Sequence, residues 1–487
     1  MNAAVMSDID EQVPLVLQGG FEPVQEEIYV RDLKVIGSVP KDLNGAYFRN
    51  GPNRKFAAEG RYHWYDGDGM VHAAYFDNGR VSYRNRWVRT TPLQEEIAAG
   101  RALWKGLRET PRHDRPDMPV KNTSNTDVKF HNGKLITMWY LAGGMYHVDP
   151  MTLETIGPAR FEGAPDFRAS AHSRVDERTG ELLFFDYFPH SPYMEYGVIG
   201  ADGRLKHKIP VQLPGPRLPH DMAITENYTI LHDFPLTYDM EALALGRHKL
   251  KFHSDWPSRF AVVPRHGSAE QIRWFEAEPN YLLHVVNAWE EGEEIVMVGT
   301  PFRLPRDLAG DIEADRFARA WSTMQHRDYL TYEWRFNLRT GKTAERIIDD
   351  VFCTEFPMIN SHYQGYKTRY AYAINMVRGS RHQPRFAGLA KYDLEQGTVH
   401  AFSEGRDFFY NEAPFAPADN PQGEDHGYIV SFVWNAREQR SELQVIDARN
   451  FTAGPVARVL LPQRVPNGFH ATWVTAERLA GGLTGGR

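Results

Sequence analysis

The sequence has a single cysteine, Cys353, in 487 residues. One thiol can form no internal disulfide and cannot build a thiolate-based zinc or iron–sulfur site. No helix N-terminus or basic cluster flanks it to lower its pKa, so it reads as a small buried hydrophobe rather than a nucleophile. Blocks of Lys or Arg are also missing, and the formal net charge is -7. Phosphate binding needs a basic stripe, so nucleic acid is not an expected partner. No stretch approaches the roughly 18 apolar residues of a membrane span. The opening MNAAVMSDIDEQVPLVLQGG is acidic and lacks the basic start and long apolar core of a secretory signal. These absences predict a cytoplasmic protein with no transmembrane segment. No GxGxxG follows a β run, so neither a nicotinamide nor a flavin is expected. Helical periodicity is scarce. The best candidate is Pro92–Glu109, with weaker ones near Met240–Leu250 and Asp307–Met324.

What remains is β runs and turns. A hydrophobic content of 42% is enough for a large core. One pattern recurs: a β run enters a polar turn and a second β run leaves it. It appears around Asp77 (AAYFDNGRVSY), Asp149 (YHVDPMTLET), Asp202 (GVIGADGRLKHKI) and His266 (FAVVPRHGSAEQIRW). It appears again around Arg339 (WRFNLRTGKTAERI), Asp393 (AKYDLEQGTVHAF) and Asp447 (LQVIDARNFTAGPVARV). The interval is roughly 50–75 residues, which suits four-stranded units repeated around an axis. A β-sandwich needs only about seven strands in roughly 100 residues, far fewer than this chain offers. The pattern therefore predicts an all-β, seven-bladed β-propeller capped on one face by loops and short helices. The expected division is an N-terminal extension over 1–30, the propeller over 31–476 and a C-terminal tail over 477–487.

Twenty histidines are present, so their number decides nothing. Context singles out four: His172 in RASAHSRVD, His220 in RLPHDMAITENY, His284 in YLLHVVNAWEEG and His470 in NGFHATWV. Each adjoins an apolar β run, and a propeller gathers the inner strands of distant blades at its axis. Imidazoles on rigid strands suit iron, zinc, copper or nickel. Spacing alone leaves the alternative that each is a hydrogen-bonded core residue, since no HxH or HExxH motif is present.

The surrounding segments carry a resemblance. LNGAYFRNGPN (Leu43–Asn53), HWYDGDGMVHAAYF (His63–Phe76), NRWVRT (Asn85–Thr90) and NTSNTDV (Asn122–Val128) are similar to motifs of the carotenoid cleavage oxygenase family. That family includes apocarotenoid, lignostilbene and phenylpropenoid-cleaving oxygenases. The resemblance runs from about Leu33 to Val474. It implies a seven-bladed propeller with Fe(II) on its axis, held by His172, His220, His284 and His470. It further implies that Glu355 in CTEFPMIN and Glu424 in GEDHGYIVSFVW orient ligand imidazoles from behind. Thr126 is implied to lie close to the open iron positions, and Tyr140, Leu141 and Phe356 are expected to line the substrate site. The chain departs from the family in two places. Leu141 falls where a third outer glutamate is expected. The Tyr/Lys pair that grips a phenol in the lignostilbene branch is replaced by Leu107 and by Trp139 or Tyr140, with Lys105 nearby on an expected helix face.

The implied activity is an alkene-cleaving dioxygenase. Its partners would be O2 and a small hydrophobic alkene, either an apocarotenoid or an aryl alkene such as a stilbenoid or a vinyl or propenyl phenol. Two readings of other classes stand beside it: an O2-independent isomerohydrolase of the same family, and a non-catalytic propeller that binds a partner. Transient contact with a membrane and the oligomeric state stay open.

Overall fold

The computed structural model describes residues 15–484 except 58, 142, 240, 242–248, 307–311, 313, 315–327 and 379–383. The two weaker helix candidates, Met240–Leu250 and Asp307–Met324, fall almost wholly outside the described residues.

Among the described residues, seven antiparallel sheets of four or more strands follow one another around an axis. Blade I comprises Asp127–His131, Lys134–Met138, Tyr146–Val148 and Thr155–Pro158. Blade II starts at Arg174–Val175, blade III at Ala223–Ile224, blade IV at Leu282–Glu291 and blade V at Thr354–Met358. In blade VI, Phe415–Pro417 and Phe408–Tyr410 both pair with Gly427–Asn435. Blade VII starts with the last strand of the chain, Ala471–Thr475, which pairs with Gly45–Pro52 so that Tyr47 faces Trp473 and Arg49 faces Ala471. Blade VI in turn takes Val35–Gly37 as its outer strand. The two ends of the chain are thus woven into adjacent blades, and the ring closes without a free sheet edge at the seam.

The seven recurring turns of the sequence occupy one position each. They join the third and fourth strands of the seven blades, as Asp77 does between Gly69–Asp77 and Arg80–Trp87. There Asn78 and Gly79 take φ of +46° and +82°, the left-handed conformation that a two-residue hairpin requires. Outer strands alternate buried and partly exposed residues, as in Arg80–Trp87, whereas Gly45–Pro52 is buried along its whole length. The difference reflects position: inner strands are covered on both faces by neighbouring blades. The core lies in these gaps. Tyr47, Ala74 and Phe76 of blade VII pack on Val430, Phe432 and Leu443 of blade VI.

The expected helix over Pro92–Glu109 is shorter, Thr91–Ala99. Thr90 caps its start through Leu93 N, and Gly100 ends it at φ +68°. Beyond Gly100 the Glu96 carboxylate accepts the backbone N–H groups of Leu103 (2.9 Å) and Trp104 (3.4 Å), which turns the chain away from the helix axis. Among the described residues no helix is long and apolar enough to cross a membrane.

Candidate metal centre

Each blade delivers one polar residue to the axis through its innermost segment. Asp127 opens the inner strand of blade I, and His172 lies just before that of blade II. His220 precedes the inner strand of blade III, and His284 lies within that of blade IV. Glu355 belongs to blade V, Glu412 precedes the Phe415–Pro417 strand of blade VI, and His470 directly precedes Ala471–Thr475 of blade VII. The local backbone is shaped for this delivery. His172 has φ +67°, a conformation costly for a residue with a Cβ, and its N–H donates to Asp127 Oδ2 (3.2 Å) across the gap between blades.

The four histidines, each buried, converge. Ring centroids are 4.7 Å apart for His172 and His220, 5.0 Å for His172 and His284, and 4.6 Å for His172 and His470. His220 and His284 lie at 5.1 Å, and His284 and His470 at 4.7 Å. Donor atoms of His172, His284 and His470 all fall within 4.8 Å of one another, and the His220 ring completes the group. The Nε2 atoms of His172 and His284 are buried without a hydrogen-bond partner in the protein. Buried polar atoms are normally satisfied, and clustered orphan imidazole nitrogens are the donor set that a divalent transition-metal ion would satisfy.

The rear nitrogens are held. Glu355 hydrogen-bonds His284 Nδ1 and accepts from Thr300 Oγ1 at 2.8 Å. Glu412 hydrogen-bonds His470 Nδ1 at 2.9 Å and takes the Ala471 N–H with its other oxygen. His172 Nδ1 lies 3.8 Å from Asp127 Oδ2. Burial, together with the other three histidines, holds His172 well below the usual imidazole pKa and therefore neutral. Burial also disfavours charge on His284, but the adjacent Glu355 carboxylate outweighs it and raises that pKa.

Two sequence expectations need correction. Glu424 does not reach the axis. Its carboxylate accepts from Thr368 Oγ1 (2.6 Å) and from the N–H groups of Arg369 (2.9 Å) and Tyr370 (2.8 Å), so it anchors the start of the Tyr370–Met376 strand. The carboxylate behind His470 is Glu412, which the sequence reading missed. Its signal was its setting, a lone acid in YNEAPF between Tyr410 and Phe415, the same kind of apolar context that singled out Glu355. Leu141 does not line the site either. Thr126 Oγ1 accepts the N–H of Tyr140 (3.1 Å), and it is Tyr140 that turns inward, its ring 6.1 Å from that of His220.

Thr126, Tyr140 and Phe356 do border the cavity at the histidines, together with Tyr65, Tyr329 and Phe469. Phe356 stands 5.3 Å from the His284 ring and 5.2 Å from the His470 ring, at φ +53°. The space between these walls is narrow, and most of its lining is apolar. The arrangement can hold a metal ion against a flat apolar ligand and keep bulk water away.

A family profile described as retinal pigment epithelial membrane protein matches residues 21–475. Carotenoid 9,10(9',10')-cleavage dioxygenase 1 of Phaseolus vulgaris is 33% identical over 501 aligned positions, which span 95% of this chain and 90% of that protein. Carotenoid cleavage oxygenase of Mycobacterium tuberculosis is 31% identical over 505 positions, spanning 94% and 97%. Among solved structures, Pseudomonas brassicacearum lignostilbene dioxygenase superposes with a TM-score of 0.83 at 27% identity, covering 96% of this chain and all of that one. A variant of Synechocystis apocarotenoid oxygenase gives 0.81 at 26% identity, covering 94% and 98%.

Proposed function

The chain belongs to the carotenoid cleavage oxygenase family, and from that premise we propose that His172, His220, His284 and His470 hold one Fe(II). With O2, the protein cleaves a carbon–carbon double bond. The balanced reaction adds both atoms of O2 across an alkene and releases two carbonyl products. The observation that carries the metal assignment is the pair of orphaned Nε2 atoms on His172 and His284, inside a cluster whose rear nitrogens meet carboxylates.

Fe(II) held by these four imidazoles would supply the reducing power that activates O2. The protein does the rest. Glu355 and Glu412 accept from Nδ1 of His284 and His470, which fixes the tautomer and turns each Nε2 lone pair toward the centre. No acid–base pair is required, because the reaction moves no proton. Tyr65, Tyr140, Phe356 and Phe469 form an apolar wall that orients the alkene and excludes water. Asn125 Nδ2 donates to Tyr65 O (2.8 Å) and so sets that part of the wall. The narrowness of the cavity favours an aryl alkene over a long polyene.

The test is aerobic turnover by iron-reconstituted protein on apocarotenals, stilbenes and propenyl phenols, with products identified by mass spectrometry. Two carbonyl fragments formed only with O2 are expected. Turnover that persists without O2 would instead mark an isomerohydrolase, and protein that retains no iron would mark a non-catalytic propeller.

A further inference from the structure

The segments LNGAYFRNGPN and NTSNTDV are far apart in the chain, yet they meet beside the histidines, and Asn50 joins them. Asn50 lies in Gly45–Pro52 of blade VII and is fully buried. Its main chain holds the segment that carries His470. Asn50 N donates to His470 O (2.9 Å), and Asn50 O accepts the Phe469 N–H (3.2 Å). Its side chain crosses to blade I. There Nδ2 donates to Ser124 O (2.8 Å) and to Asp127 O (3.0 Å), which uses both amide hydrogens. Oδ1 accepts the Gly51 N–H at 3.0 Å.

The two carbonyls bracket a short turn, which Ser124 enters at φ +48°. Every residue between them bears on the centre. Asn125 donates to Tyr65 O. Thr126 borders the cavity, and its carbonyl accepts the His470 N–H (3.2 Å). Asp127 Oδ2 accepts the His172 N–H (3.2 Å). One buried amide therefore ties His470 of blade VII to the residue that holds His172 of blade II, across the blade that lies between them. Taking it away leaves two buried carbonyls without those donors. A metal-binding constellation tolerates displacements of only about 0.5 Å before it loses its working geometry.

We propose that Asn50 is a positioning residue for the metal centre, and that its side-chain amide sets the placement of His470 relative to His172. This inference rests on the reading that the four histidines hold Fe(II), and it adds the residue that couples closure of the ring to the geometry of the ligands. Asn50 touches no ligand ring and acts through the Ser124–Asp127 turn. Its loss is therefore read in the metal site of protein that is still folded. Asn85 is the matched control. It is equally buried in the same blade, but its Nδ2 donates to Glu26 O (2.9 Å) and its Oδ1 accepts the Ile28 N–H (3.0 Å), so it ties down the N-terminal segment instead.

The experiment compares wild type, Asn50→Leu and Asn85→Leu, each full-length and folded. Fe(II) affinity is measured without oxygen by chelator competition, and ligand geometry is read from the visible absorption bands of the Co(II)-loaded protein. Both variants should unfold at lower urea concentration than wild type. Only Asn50→Leu should also lose iron affinity, by roughly 10–100-fold, the range found when the outer supports of metal-bound histidines are removed. Only Asn50→Leu should shift the cobalt bands. Asn50→Ser, whose hydroxyl is too short to reach both carbonyls, gives the same reading if Asn50→Leu does not fold. The proposal is overturned if the folded Asn50 variant keeps wild-type iron affinity or wild-type cobalt bands, or if Asn85→Leu changes them equally. Failure of the parent reading has a different signature: wild-type protein itself retains no Fe(II).

Discussion

Replacing Glu412 by Gln removes one negative charge and turns one acceptor into a donor. In the native protein both oxygens accept, one from His470 Nδ1 at 2.9 Å and the other from the Ala471 N–H. A glutamine has only one carbonyl oxygen, so its amide NH2 must face one of these two donors. The residue is buried, and a buried donor left without an acceptor costs about 1–3 kcal/mol. At about 1.4 kcal/mol per decade, that is a loss of roughly 5–150-fold. If His470 loses its partner, the penalty falls on iron affinity, in the range of about 10–100-fold seen when outer partners of metal-bound histidine are changed. Glu424→Gln is the matched control. It removes the same charge from the same blade region, but its partners are Thr368, Arg369 and Tyr370 and not a histidine. Both variants are reconstituted with Fe(II) without oxygen, and iron affinity is measured by chelator competition. Weakened affinity for Glu412→Gln, with wild-type affinity for Glu424→Gln, is expected. Equal losses in both, or none in Glu412→Gln, would refute the reasoning.

Replacing His172, His220, His284 or His470 singly by Ala should sharply reduce iron content by elemental analysis and abolish cleavage. The same change at the exposed His190 or His400 should alter neither. Retention of stoichiometric iron by any of the first four would remove that residue from the ligand set. His232 offers a test of acid lability away from the centre, since burial lowers its pKa from 6.5 to about 3 and both ring nitrogens lack partners. Below pH 6.5 the unfolded chain protonates this group and the folded chain does not, so stability falls as pH falls. Between pH 7 and pH 5 this amounts to roughly 2 kcal/mol. His232→Leu should reduce the pH dependence of unfolding in urea by that amount, and an unchanged pH dependence would show that His232 is not buried in its neutral form.

The sequence alone determined the blade count, because hairpin chemistry is local. Each polar turn, such as Asp77–Gly79, lies between two β runs, and one such turn joins the third and fourth strands of every blade. It also singled out the four histidines that the fold brings together and the carboxylate Glu355, which lies beside Phe356 on one inner strand. It named Glu424 and passed over Glu412, which lies shortly before it in the chain. Only the tertiary structure shows that Glu412 precedes an inner strand and reaches the axis, while Glu424 anchors the strand at Tyr370. The sequence reading placed both Tyr140 and Leu141 at the substrate site, whereas only Tyr140 borders the cavity. Both lie in the turn that follows Lys134–Met138, where no strand alternation sets which side chain points inward. Here the choice was made by a hydrogen bond from Tyr140 N to Thr126 Oγ1. Which side chain reaches the axis depends on the register of strands that are distant in sequence, and that register exists only once the ring has closed between Gly45–Pro52 and Ala471–Thr475.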